Sequence, residues 1–114
     1  MPHDPLKLLQ DIVDAAEFIL ELTRARSLAK YEQSRIIRAA VERNFIIIGE
    51  AFTRLGRIDA KMAESLGGFP QIIAFRNIVV HGYDVVDDAV VWGIIQNEVP
   101  RLLSAARTML DERT

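Results

Sequence analysis

The chain is 114 residues long, half of them hydrophobic and 26% charged, with a formal net charge of −2 at pH 7. Such a balance excludes a disordered tail and fits one globular domain over residues 1–114, large enough for a modest core but not for two. The absence of cysteine excludes disulfide staples, thiolate zinc sites and a cysteine nucleophile, and fits a reducing compartment.

The first residues, Met1-Pro2-His3-Asp4, lack the basic-then-apolar signature of a signal peptide, and the longest aliphatic runs are stretches such as Phe45-Ile46-Ile47-Ile48. A cytoplasmic chain that does not span a membrane is therefore expected. Asp4-Pro5 places a capping side chain before a proline at the first helical position, and Leu9, Ile12, Val13, Ala16, Ile19 and Leu20 follow at helical spacing. This predicts a first helix from about Pro5 to Arg24. A second pattern starts near Leu28 and carries Ile36, Ile37, Ala40, Val41, Ile47, Ile48, Ala51, Phe52 and Leu55, with Gly56 as the expected stop. Read as one helix it would reach roughly 40 Å.

Asp59 can cap a short third helix ending at Gly67-Gly68, and Phe69-Pro70 restarts the chain into a fourth that runs to about His81. Asp87 or Asp88 can cap a fifth, striped by Val90, Val91, Ile94, Ile95, Val99, Leu102, Leu103, Ala106 and Leu110, with Pro100 expected to kink or split it. No segment alternates apolar and polar residues long enough to make a strand. The predicted fold class is all-α, a bundle of four or five helices with antiparallel neighbours.

The small net charge alone argues against a nucleic-acid partner, yet the charge is unevenly distributed. Between Arg24 and Arg57 there are eight basic residues (Arg24, Arg26, Lys30, Arg35, Arg38, Arg43, Arg54, Arg57) and three acidic ones (Glu32, Glu42, Glu50). The ordinary reading of such a run is a solvated helix face.

The fourth helical pattern is more unusual. On a helical wheel started at Ile72, the apolar residues Phe75, Ile78, Val79, Ile73 and Val80 cover an arc of roughly 220°, wider than one buried face. Such a helix is either at the centre of the bundle or buried on a second side by another subunit; the small size of the domain favours the second, so a homodimer is expected. Arg76 sits at about 40° within that apolar arc, flanked by Ile72 and Val80, while Asn77 and His81 share the more polar edge. Taken singly, each has an ordinary role: a histidine near a helix C-terminus meets free carbonyls, a buried arginine pairs with a structural carboxylate, and an asparagine caps a turn. Together with Tyr83 they fall inside eight residues, in a chain with two histidines.

The string Arg76, four residues, His81, Gly82, Tyr83 resembles the Arg-x4-His-x-Tyr motif of HepT-like toxins, a branch of the HEPN superfamily. The likeness extends over most of the chain. Asn44-Phe45-Ile46-Ile47-Ile48-Gly49-Glu50-Ala51 is similar to the family's mid-helix Gly-Glu-Ala signature, and Val91-Trp92 with Val99-Pro100-Arg101-Leu102 is similar to its last helix. Phe69 departs from the tryptophan that many relatives carry next to the proline, which affects local packing more than chemistry.

The resemblance implies a HEPN-type homodimer whose two motifs face each other across a cleft that cuts RNA, without metal or other cofactor. It also implies a cognate minimal nucleotidyltransferase antitoxin that transfers AMP to the motif tyrosine, here Tyr83. The chemistry is consistent with this. Cleavage without a metal needs a group that moves protons near neutral pH, as His81 can, and a fixed positive charge against the developing phosphorane, as Arg76 can supply. Asn77 would orient the phosphate or the imidazole. Glu50 is a candidate partner for Arg76 from the neighbouring helix, the alternative being a buried structural acid at a contact thinned by Gly49. No His and carboxylate cluster shows metal-ligand spacing. The competing function is a non-catalytic HEPN module that binds substrate for, or partners, a nucleotidyltransferase. Such a module has no need of both Arg and His in an apolar helix, where an unpaired arginine costs several kcal/mol.

Overall fold

Local capping chemistry decides where the helices begin and end. The computed structural model describes residues 4–67 and 86–114, and these form six helices with no strand among the described residues: α1 (Pro5–Thr23), α2 (Leu28–Gln33), α3 (Arg35–Ile58), α4 (Ala60–Leu66), α5 (Asp88–Asn97) and α6 (Val99–Arg113). The helix expected from Phe69-Pro70 to His81, with its apolar arc, lies outside the described residues. The all-α class stands.

Asp4 caps α1 as expected, its carboxylate accepting the Leu6 amide at 2.9 Å with Pro5 in the first turn. The expected second helix is instead two. Ser34 is extended (φ −106°, ψ 99°); its amide donates to the Tyr31 carbonyl at the end of α2, and its hydroxyl accepts the Ile37 amide at 3.2 Å at the start of α3. One serine thus closes one helix and opens the next, satisfying amides that would otherwise be orphaned at the new N-terminus. Arg38 braces the break by donating to the Glu32 carbonyl. The other correction concerns Gly56, which does not stop α3. The helix runs two residues further, to Ile58, and is capped by Asp59, whose amide donates to the Leu55 carbonyl at 2.8 Å and whose side chain accepts the Met62 amide at 3.1 Å. Asp59 therefore ends α3 and caps α4.

Gly67 terminates α4 with φ 101°, a left-handed conformation in which a Cβ would meet backbone atoms. Of the two candidate caps for the next helix, Asp87 is the one used: its carboxylate accepts the Ala89 amide at 2.9 Å, while Asp88 sits in the first turn of α5. Pro100 splits the C-terminal pattern as expected, lying in the first turn of α6, where its missing amide costs no hydrogen bond.

These helices enclose one connected core, with α1 packed mainly on α3 and α6, α4 on α3 and α6, and α2 on α3 and α5. Leu9, Ile12, Ala16 and Ile19 from α1 meet Val41, Phe45, Ile48 and Leu55 from α3 and Leu102 and Ala106 from α6, all fully buried or nearly so. At roughly 25 cal/mol per Å² of apolar area removed from water, this cluster supplies the main driving force for the fold. α1 and α6 run antiparallel: Glu17 pairs with Arg107 at 2.8 Å, and a shallow surface pocket one turn on brings Leu20 and Arg24 to Leu103.

Candidate functional site

Arg76, Asn77, His81 and Tyr83 lie outside the described residues, so what the structure gives is the surface provided by the helices on either side in sequence. The mid-helix signature from Asn44 to Ala51 falls wholly within α3. Taking Arg35 as the start of a helical wheel, the buried residues Ile37, Val41, Phe45, Ile48, Ala51, Phe52 and Leu55 fill an arc of about 160–280°. Gly49 is buried at its edge. Glu50 falls near 60°, on the side turned away from that core, and is nonetheless half-buried, as is Ile46 one turn before it.

The eight basic residues separate into groups. Arg38 is half-buried and committed to the α2 end. Arg26, in the link after α1, turns back on that helix, its Nε donating to the Leu22 carbonyl at 2.8 Å. Arg35, Arg43, Arg54 and Arg57 are all exposed and share the arc from 0° to about 100° on α3 with Glu50. The expectation of a solvated helix face is right for part of the run only.

Two polar groups not singled out from the sequence meet where α2, α3 and α5 join. Tyr31 is 0% exposed, its ring centroid 5.5 Å from that of Trp92 at an interplanar angle of 42°. No group among the described residues hydrogen-bonds its hydroxyl. Burial pushes the phenol well above the usual tyrosine range, the nearby Glu42 and Asp88 carboxylates push it further, and Arg38 opposes them. Burial likewise raises the Glu42 carboxyl, with Asp88 adding to the effect and Arg38 opposing it. Tyr31 is thus a neutral phenol held for packing, not an activated nucleophile. The signature Val91-Trp92 supplies its stacking partner, and Val99-Pro100-Arg101-Leu102 is the α5/α6 break.

On the other side of α3 an open groove of about 360 Å³ runs against α1, lined by Asp11, Asp14, Ala15, Phe18, Asn44 and Ile47. Among the described residues no three His, Cys, Asp or Glu side chains converge on a possible metal site, and no helix is long and apolar enough to cross a membrane.

Comparison with known proteins gives a consistent result. Residues 12–109 match the family model HepT-like, described as ribonuclease HepT-like. A protein of Methanocaldococcus jannaschii named "Putative RNase" is 30% identical over 102 residues, which cover 88% of this chain and 91% of that one. One from Thermococcus cleftensis named "Probable ribonuclease HepT" is 30% identical over 94 residues, covering 82% and 84%. A "Putative RNase" of Caldanaerobacter subterraneus subsp. tengcongensis is 25% identical over 108 residues, covering 95% and 96%. No solved structure matches the chain significantly.

Proposed function

Because the chain belongs to the ribonuclease HepT-like family, we propose that it is a metal-independent endoribonuclease toxin acting as a homodimer in the cytoplasm. The observation that carries this reading is the gathering of Arg76, Asn77, His81 and Tyr83 within eight residues of a chain with two histidines. His81 takes the proton of a ribose 2′-hydroxyl or delivers one to the departing 5′-oxygen as the 2′-oxygen attacks phosphorus. The P–O5′ bond breaks, leaving a 2′,3′-cyclic phosphate and a free 5′-hydroxyl. Arg76 holds fixed positive charge against the phosphorane oxygens, with the bidentate geometry of a guanidinium, and Asn77 orients the phosphate or the imidazole. Glu50, half-buried on α3, is the counter-charge that steadies Arg76. The second subunit faces its own motif onto the same cleft.

Control follows from the position of Tyr83, two residues past His81. Its hydroxyl attacks the α-phosphorus of ATP on a cognate minimal nucleotidyltransferase, pyrophosphate leaves, and the tethered AMP fills the phosphate site beside Arg76. The test is cleavage of RNA by the purified protein in EDTA. Arg76→Ala and His81→Ala should each abolish cleavage with an unchanged helical spectrum. Arg107→Ala, which removes only a surface pair with Glu17, should cut normally. Cleavage that requires added magnesium, or a His81 variant as active as the parent, overturns the assignment.

A further inference from the structure

The charge of this chain is polarised. The segment from Arg24 to Arg57 holds eight of the 14 basic residues but three of the 16 acidic ones, so the rest of the chain is strongly acidic and the net charge of −2 is a near-cancellation. The fold gives this polarity a shape. Arg35, Arg43, Arg54 and Arg57 lie on one exposed arc of α3 and span about 33 Å along its axis. Arg35, Arg43 and Arg57 make no ion pair among the described residues, whereas Arg54 also interacts within the protein. Ile36, 83% exposed, is on the same arc and gives it an apolar contact near one end. Glu50 lies between Arg43 and Arg54 in sequence and near the middle of the arc.

We propose that the exposed arginine arc of α3, formed by Arg35, Arg43 and Arg57 with Arg54 beside them, is a track for the phosphate backbone of single-stranded RNA. The inference rests on the ribonuclease reading, which it deepens: a strand on this arc crosses Glu50, the residue that reading sets against Arg76 as its counter-charge. Arginine suits the task because its planar fork meets phosphate oxygens bidentately and keeps its charge at any cellular pH. Several contacts spaced over 33 Å require several consecutive nucleotides, so long RNA is held better than short. The acidic remainder, including Asp11 and Asp14 in the groove that borders the arc past Ile47, repels a polyanion and bounds the track on that side. An acidic protein partner is the rival occupant.

The test uses the full chain with His81→Ala, so that RNA is not consumed, and measures anisotropy of a fluorescent 30-nucleotide RNA against salt concentration. Adding Arg35→Ala, Arg43→Ala and Arg57→Ala together should raise Kd at least tenfold at about 0.1 M salt and flatten the log K against log salt slope by roughly 2, about 0.7 per lost phosphate contact. Lys61→Ala with Arg113→Ala, which removes charge from exposed positions on other helices, should change neither. The three arginines are exposed, and an unchanged helical spectrum verifies the fold. If the triple variant binds RNA with the parent's Kd and slope while the His81-intact parent cleaves, the track is wrong, the acidic-protein occupant takes its place, and the ribonuclease reading stands. If the parent never cleaves but binds RNA through the arc, the ribonuclease reading falls and the track stands.

Discussion

Replacing Tyr31 with phenylalanine should stabilise the protein, and more so as the pH rises. Tyr31 is 0% exposed and its hydroxyl has no hydrogen-bond partner among the described residues. Burying a hydroxyl without a partner costs about 1–3 kcal/mol, partly offset by the contacts the oxygen makes, so Tyr31→Phe should gain about 1 kcal/mol. For a domain of this size that raises Tm by about 4 °C. The alkaline limb adds an independent signature. Burial, and then Glu42 and Asp88, raise the folded phenol above its ordinary value of 10.0. Below pH 10 both folded and unfolded forms keep the proton, and the stability is fully present. As the pH rises past 10 the unfolded phenol ionises first, so stability falls by up to about 1.4 kcal/mol per pH unit until the folded phenol titrates in its turn. The phenylalanine variant lacks that limb, and the difference between the two proteins isolates Tyr31 from every other titrating group. Thermal unfolding followed by circular dichroism at pH 8 and pH 11 measures both effects. A variant less stable than the parent by more than about 1 kcal/mol at pH 8 would mean that the hydroxyl has a partner, and two parallel alkaline limbs would mean that folding does not disfavour its ionisation; either result refutes the prediction.

Asp59→Ala should lower stability by about 1 kcal/mol, about 4 °C in Tm, because one side chain caps α4 where α3 ends; calorimetry that shows no loss refutes the cap's role. Sedimentation at micromolar concentration should give a dimer, and a clean monomer would remove the composite cleft. Incubation with the cognate nucleotidyltransferase and ATP should add AMP to Tyr83 and silence cleavage, with Tyr83→Phe still toxic beside the antitoxin. Mass spectrometry without an adduct on Tyr83, or a phenylalanine variant neutralised as readily as the parent, would point to occlusion by the partner instead.

Most helix ends were legible because one local hydrogen bond sets each. Asp4, Asp59, Gly67 and Pro100 act as their residue types dictate. The break at Ser34 was not, since the apolar period continues through Ile36 and Ile37, and serine interrupts a helix only when its hydroxyl captures an amide. Ile36 counts toward the apolar stripe in the sequence yet is 83% exposed, because it falls near 100° on the α3 wheel, outside the arc of about 160–280° that meets the core. Phe45 and Met109 are buried although the stripes pass them by, and Val90 is 57% exposed although one includes it. Tertiary packing, not period, decides such edge positions. Gly56 reads as a stop, but ending a helix there needs a left-handed turn, and the carbonyls are satisfied by continuing to Asp59. As to the site, Arg76, Asn77, His81 and Tyr83 are legible as a motif because their spacing is local. The arginine arc is not, since a run of charges reveals its common face only once Arg38 is seen tied to Glu32 and α3 is seen to begin at Arg35.

The shared cap at Ser34 makes α2 a six-residue helix between two breaks, far below the length at which a helix sustains itself in water. It holds because Tyr31 anchors it to Trp92 on α5. Among the described residues it is the shortest helix, so it should detach and redock while the α1, α3 and α6 core stays shut, and its amides should exchange with solvent at a free energy below that of global unfolding. Trp92 is the single tryptophan of the chain. Its emission therefore reports directly on whether this small helix is docked, an optical readout of subglobal opening built into the protein.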